Sequence, residues 1–247
     1  MSSARNGEKR PFVVCHMLTS LDGKIDGDFF SAPQTTPALR LYGELRNYYN
    51  CQATMYGTAT MLGGYADGPA PVLEGREAEA LMEDYINEAG QAVGNYIVSI
   101  DPEGVLGFSD HLLAKKGRPA AHVIEVLTEK ASCEYRTYLK DRGISYLSGG
   151  GEQVDFSRVL EKLAAQFGIE RLMAAGGGIL NWSLLQEGLI DELSLVIAPV
   201  ADGNTDSVSI FEQSEFMSSG KPAAFCLKGA KEMEGNVLWL RYEAVRT

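Results

Sequence analysis

Between Arg171 and Gly188 the chain reads RLMAAGGGILNWSLLQEG, an apolar strand-like stretch that runs through three consecutive glycines directly into a stretch with the character of an amphipathic helix. Glycines open backbone conformations closed to residues with a Cβ and let a phosphate come close to the main chain. The start of a helix adds unpaired N–H donors and about half a positive charge. The spacing is not G-x-G-x-x-G, and no Lys-Ser/Thr follows as in a P-loop, so neither nucleotide fingerprint applies. Two readings stay open from these residues alone: a seat for a phosphorylated cofactor, or a tight strand-to-helix turn whose glycines serve close packing.

The rest of the chain alternates in the same way. Strands are expected at 12–18, 53–56, 96–100, 121–127 and 144–147 from their apolar, β-branched runs, and helices at 35–50, 77–92 and 133–141 from their periodicity. On the first helix Leu39, Tyr42, Leu45 and Tyr49 form the expected apolar face. A further helix carries Val159, Leu160, Leu163 and Phe167, with Asp155 as its N-cap and Gly168 as its stop. The 53–56 strand ends in Gly57-Thr58-Ala59-Thr60 and a short helical turn, a second strand-to-glycine-to-helix junction. After Gly188 come a strand within 191–199 and two more at 224–232 and 237–242, joined by the hairpin signal Glu234-Gly235-Asn236. The pattern implies an α/β fold with a mixed, mainly parallel central sheet and an antiparallel C-terminal hairpin.

The chain has 247 residues, 45% of them hydrophobic, enough for a sizeable core. One domain is expected over 11–247, preceded by a polar, disordered tail at 1–10. Acidic residues outnumber basic ones 33 to 22, for a net charge of −11. That excess argues against nucleic acid as a partner, and any phosphate site must be built by local donors. Cys15, Cys51, Cys133 and Cys226 are scattered, as are His16, His111 and His122, so no metal site is expected and the pattern fits a reduced, cytoplasmic protein. No apolar run approaches the roughly 20 residues of a membrane span.

Three segments in order carry a resemblance. They are Thr19-Ser20-Leu21-Asp22-Gly23-Lys24, then Arg46 with Gly57-Thr58-Ala59-Thr60, and finally Ala175 to Leu180 followed by Gly188-Leu189-Ile190-Asp191-Glu192-Leu193 and Ala198-Pro199. Together, over about residues 11–245, they resemble the family of the RibD C-terminal reductase domain. The resemblance implies a dihydrofolate reductase-like three-layer fold and a homodimer. It also implies NADPH-dependent reduction of 5-amino-6-(5-phosphoribosylamino)uracil, or the related diaminopyrimidine of riboflavin biosynthesis, by hydride transfer to the ribose C1′. By the same resemblance Thr19 lies beside the nicotinamide, while Gly57, Thr58, Thr60, Gly176, Gly177, Gly178, Ile179, Leu180 and Asn181 line the rest of the cofactor. Arg46 and Lys24 are the implied substrate contacts.

Each assignment has a plainer counterpart. Thr60 also suits a helix cap, Arg46 a surface ion pair, Lys24 a solvated loop cation, and Asp22 a turn. Thr128-Glu129-Lys130-Ala131-Ser132 is the candidate for a 2′-phosphate pocket, with Glu129 opposing it. The chain departs from the family at Ala175, where a substrate-contacting glutamate is expected, and at Gly64, in place of an aspartate. These departures motivate two alternatives: a reductase of another small carbonyl, imine or pterin, and a nucleotide-binding protein without turnover. No residue stands out as the proton donor.

Overall fold

The structure is a computed structural model in which residues 10–73, 75, 82–115, 117–214 and 220–245 are described. In chain order they form β1 (Phe12–Thr19), α1 (Thr36–Tyr49), β2 (Ala53–Gly57), α2 (Thr58–Leu62), α3 (Glu88–Gln91), β3 (Tyr96–Ile100), β4 (Leu112–Leu113), β5 (Ala121–Leu127), α4 (Cys133–Asp141), β6 (Ser145–Ser148), α5 (Phe156–Phe167), β7 (Arg171–Ala174), α6 (Gly178–Gln186), β8 (Glu192–Ile197), β9 (Phe225–Met233) and β10 (Val237–Ala244). The chain divides into two compact units. Of the described residues, one takes those within 10–11, 52–54 and 58–170, the other those within 12–51, 55–57 and 171–245.

In the first unit every residue of β5 is buried, as a near-continuous apolar run in a sheet covered on both faces requires. It lies parallel to β3 and to β6, and the two residues of β4 pair antiparallel at its start. The Ser132 hydroxyl accepts the Tyr135 N–H at 3.1 Å to begin α4, and the Asp155 carboxylate accepts the Arg158 N–H at 2.9 Å to begin α5. Gly168, at φ 64°, ends α5 as expected.

The helix expected at 77–92 is corrected. Residues 76–81 lie outside the described ones, and of the remainder only Glu88–Gln91 is helical. Tyr85 instead exchanges two backbone hydrogen bonds with Tyr146, each 2.9 Å, and the Asp84 carboxylate accepts the Ser148 N–H and the Lys162 ammonium, each at 2.7 Å. An open strand edge at β6 offers this segment hydrogen bonds that a solvated helix lacks.

In the second unit the strand order is β7-β1-β8-β10-β9. The first three are parallel, and β10 and β9 run antiparallel as the expected hairpin. At its turn Gly235 (φ 77°) and Asn236 (φ 60°) both occupy the left-handed region, as the signal predicts. The buried face of α1 is Ala38, Leu41, Leu45 and Tyr49, whereas Leu39 of the expected face is 42% exposed. The stripe is rotated because Tyr42 turns to His16: the rings stack at 4.4 Å, and the Tyr42 carbonyl lies 3.0 Å from His16 Nε2. Glu192 on β8 receives Arg241 through two bonds of 2.8 and 2.9 Å and the Tyr49 hydroxyl at 2.5 Å.

Candidate functional site

The glycine junction belongs to the second unit and joins β7 to α6. Gly176 (φ 155°) and Gly177 (φ 88°) take conformations that residues with a Cβ rarely adopt. Gly177 precedes α6 without a side-chain cap, so the first-turn N–H groups of the helix have no side-chain acceptor. The Gly57 N–H donates to the Gly176 carbonyl at 3.4 Å, and the Ala175 N–H to the Met55 carbonyl at 3.1 Å, so the end of β2 is stitched to the same turn. Gly57 and the Gly176–Asn181 segment, singled out separately in the sequence, therefore converge.

Asn181 is completely buried one turn into α6. Its amide donates to the Ile210 carbonyl at 2.9 Å, while its Oδ1 has no hydrogen-bond partner. The third glycine has a different neighbour from the one a phosphate seat implies. A Cβ on Gly178 would run into the Ser209 carbonyl oxygen and come within 3.0 Å of Glu212 Cγ. The Glu212 N–H donates to the Gly178 carbonyl at 3.1 Å, and its carboxylate accepts the Ser209 N–H at 2.7 Å. Gly176 and Gly177 shape the turn, and Gly178 admits the 209–212 segment, so the close-packing reading applies at the third glycine. Sequence reasoning missed Ser209 and Glu212, for a contact some thirty residues away leaves no local signature.

The expected amphipathic character of α6 is also corrected. Leu180, Asn181, Leu184 and Leu185 are buried, and Trp182 on another side is covered by Gly220 and Phe211, leaving Ile179 half exposed.

Thr19 is buried at the end of β1, and its carbonyl accepts the Ala198 N–H at 2.8 Å. Beyond it Asp22 is the turn residue its context suggests: it accepts the Ser20 hydroxyl at 2.6 Å and the N–H groups of Asp202 and Gly203, both at 2.9 Å. Those donors, the Ser20 hydroxyl foremost, hold its carboxyl well below the usual range. The Lys24 ammonium is not simply solvated, for it donates to the Ser207 carbonyl at 2.8 Å and ties this loop to the residues leading into 209–212. Arg46 is half-buried on α1, its guanidinium 3.4 Å from the Tyr56 hydroxyl and near enough to His16 to help depress that imidazole's pKa.

Thr58 and Thr60 fall in the first unit. The Thr58 hydroxyl donates to the Ile100 carbonyl at 2.8 Å, and Thr60 lies within α2. In the 128–132 loop Ser132 is spent on capping α4, the Thr128 hydroxyl donates to the Pro102 carbonyl at 2.7 Å, and Lys130 pairs with Glu152 at 3.5 Å. Among the described residues no group of three or more His, Cys, Asp or Glu side chains is placed to hold a metal ion, and no helix is long and apolar enough to cross a membrane.

The family model for the RibD C-terminal domain matches residues 11–238. A 2,5-diamino-6-ribosylamino-4(3H)-pyrimidinone 5′-phosphate reductase of Methanothermobacter thermautotrophicus is 31% identical over 204 residues, covering 82% of this chain and 84% of that one. A protein of the same name from Archaeoglobus fulgidus is 27% identical over 210 residues, covering 84% and 89%. Among solved structures, a pyrimidine reductase-like protein of Corynebacterium diphtheriae superposes with a TM-score of 0.68 at 17% identity, over 96% of this chain and 93% of that one, and so shares its fold.

Proposed function

Because this chain belongs to the RibD C-terminal domain family, a family of reductases, we propose that it reduces 2,5-diamino-6-ribosylamino-4(3H)-pyrimidinone 5′-phosphate, a step of riboflavin biosynthesis, with NADPH as the reductant. The observation that carries the reading is a relative of that name aligned over 82% of the chain. The junction fits a dinucleotide: an uncapped helix start, two glycines in conformations that bare the backbone, and a buried Asn181 oxygen awaiting a donor. When bound, the nicotinamide supplies the hydride.

The protein's part is placement. The N–H groups at Gly178, Ile179 and Leu180 receive the pyrophosphate, Gly57 and Gly177 leave it room, and Thr19 closes the nicotinamide end. Lys24 and Arg46 orient the phosphorylated pyrimidine, Lys24 through the loop it ties to Ser207. The active form is a homodimer, and the reaction belongs to the cytoplasm.

The direct test is to mix the protein with the pyrimidine substrate and either NADPH or NADH and follow loss of the reduced nicotinamide absorbance. Turnover, with a melting temperature raised by cofactor alone, is expected. If neither dinucleotide at about 1 mM shifts melting, the cofactor assignment fails; a shift without turnover removes the substrate assignment.

Glu212 gives a finer check. Its carboxylate lies beside the first turn of α6, where a second negative charge weakens an incoming phosphate. Glu212→Gln keeps an acceptor for the Ser209 N–H and removes the charge. It should tighten dinucleotide binding about two- to fivefold, in line with ~0.3–1 kcal/mol for a charge at a helix terminus. Equal dissociation constants for variant and parent, measured by fluorescence titration, would place the pyrophosphate elsewhere.

A further inference from the structure

The first unit buries a carboxyl group that the proposed chemistry does not use. Glu125 stands in the middle of β5, completely buried, and neither of its carboxyl oxygens has a hydrogen-bond partner. In the β3–β5 register it faces Ser99, and the Asp101 N–H two residues further on donates to the Val126 carbonyl. Ser99, Asp101 and Glu125 therefore share one face of the sheet, the side covered by Tyr135 of α4.

The two acids are not equivalent. Asp101 Oδ2 accepts the Val105 N–H at 2.8 Å and the Leu106 N–H at 3.0 Å, two donors that favour the anion against a burial that raises its carboxyl, and it lies 3.1 Å from the Tyr135 hydroxyl, whose proton the Leu106 carbonyl at 2.8 Å also draws. Its Oδ1 is buried with no partner. Glu125 faces no backbone N–H, and the Ser99 hydroxyl opposite it, which favours the anion, is outweighed by burial. The other groups around the pair do not supply a counter-charge: Glu103 in the turn adds a like charge beside Asp101, Tyr146 stands opposite Glu125 on β6, and Tyr138 directs its hydroxyl to the Phe108 carbonyl at 2.8 Å. The buried cation of α4, Arg136, is turned to the Thr128 carbonyl at 2.8 Å and lies over the Tyr146 ring.

We infer that Glu125 keeps its carboxyl proton in the folded protein and donates it to Asp101 Oδ1, so that one proton held between two carboxyls locks the turn that leaves β3. Two ionised carboxylates side by side in a dry interior are excluded by their repulsion and desolvation, and a neutral donor is what the vacant Oδ1 lacks. Burial first, and Asp101 second, raise the Glu125 carboxyl well above the ordinary range, in the sense this arrangement needs. The locked turn matters because the Pro102 carbonyl receives both the N–H and the hydroxyl of Thr128, and the Ile100 carbonyl receives the Thr58 hydroxyl. Removing the shared proton at alkaline pH frees Asp101 from its site and loosens three loops together.

The test is carried out on the full chain. Carbon-detected NMR titration of the glutamate carboxyls should find Glu125 neutral at pH 7, titrating only in the alkaline range or on unfolding. Native-state hydrogen exchange at pH 7 then compares Glu125→Gln, whose amide still donates, with Glu125→Met, which fills the space without a donor. The Gln variant should protect the Val105 and Leu106 amides within about twofold of the parent, and the Met variant should lose at least tenfold. An ionised Glu125 at pH 7 overturns the inference, and so does equal protection in the two variants. If Glu125→Met does not fold, the carboxyl titration decides alone.

Discussion

Gly178→Ala is expected to lower the melting temperature by about 5 °C and to weaken dinucleotide binding at least tenfold. The new methyl group would clash with the Ser209 carbonyl oxygen. A backbone oxygen held in place by the Glu212 and Ser209 hydrogen bonds does not swing aside as the end of a side chain does. Overpacking of this kind costs about 1–3 kcal/mol, and each kcal/mol is roughly 2–4 °C in a chain of this size. The loss in binding follows because the 209–212 segment must part from the first turn of α6, disturbing both the N–H donors and the Ile210 carbonyl that positions Asn181. Gly43 provides the control: a Cβ there meets nothing within 4 Å, and the residue lies inside α1. Gly43→Ala should raise stability by about 1 kcal/mol through helix propensity and leave cofactor binding unchanged. Calorimetry of the two variants with and without NADPH separates the effects. A Gly178→Ala protein that melts and binds like the parent would show that the 209–212 segment does not rest on this turn.

The contrast between these glycines also shows what a linear reading captures. The wholly buried β5, the Asp155 and Gly168 signals of α5 and the left-handed hairpin turn at Gly235-Asn236 depend on neighbours within a few residues, and each lies where its local pattern places it. The 77–92 helix fails where it can be checked because its sequence is compatible with a helix but is offered a better bargain by the distant edge of β6. The rotated stripe of α1 follows from a contact with His16, and the cover over Trp182 of α6 from the approach of Gly220 and Phe211. The site divides along the same line. The uncapped helix start and the bare backbone at Gly176-Gly177 were legible from three adjacent letters. The packing role of Gly178, the hook from Lys24 to Ser207 and the orphaned oxygen of Asn181 all depend on residues far along the chain.

Acid should unfold this protein through its buried histidines. His16 is fully buried between strands. Its Nδ1 is 3.0 Å from the Ser194 hydroxyl, which also accepts the Trp239 indole N–H at 3.0 Å, and its Nε2 is 3.0 Å from the Tyr42 carbonyl. Since a carbonyl only accepts, Nε2 carries the proton and Nδ1 accepts from Ser194, which leaves the ring neutral with both of its nitrogens satisfied. Burial above all, with Arg46 adding to it, lowers its pKa from 6.5 to about 4. His122 is likewise buried against Ser145, and burial together with His111 lowers it to about 4. The unfolded chain takes up protons at both rings near pH 6.5, while the folded chain resists until about pH 4. Between those values the unfolded state binds more protons, so stability is fully present above pH 6.5 and falls as the pH drops towards 4. Each ring contributes on the order of 3 kcal/mol over that window. Urea unfolding at pH 7.5 and pH 4.5 should therefore show a large loss. His16→Gln retains one acceptor and one donor but cannot titrate, and it should cut the pH-dependent loss by roughly half, even where its stability at pH 7.5 is lower than the parent's. An unchanged pH dependence in that variant would mean that His16 is protonated within the native fold, and that the Ser194–His16–Tyr42 chain is broken without cost.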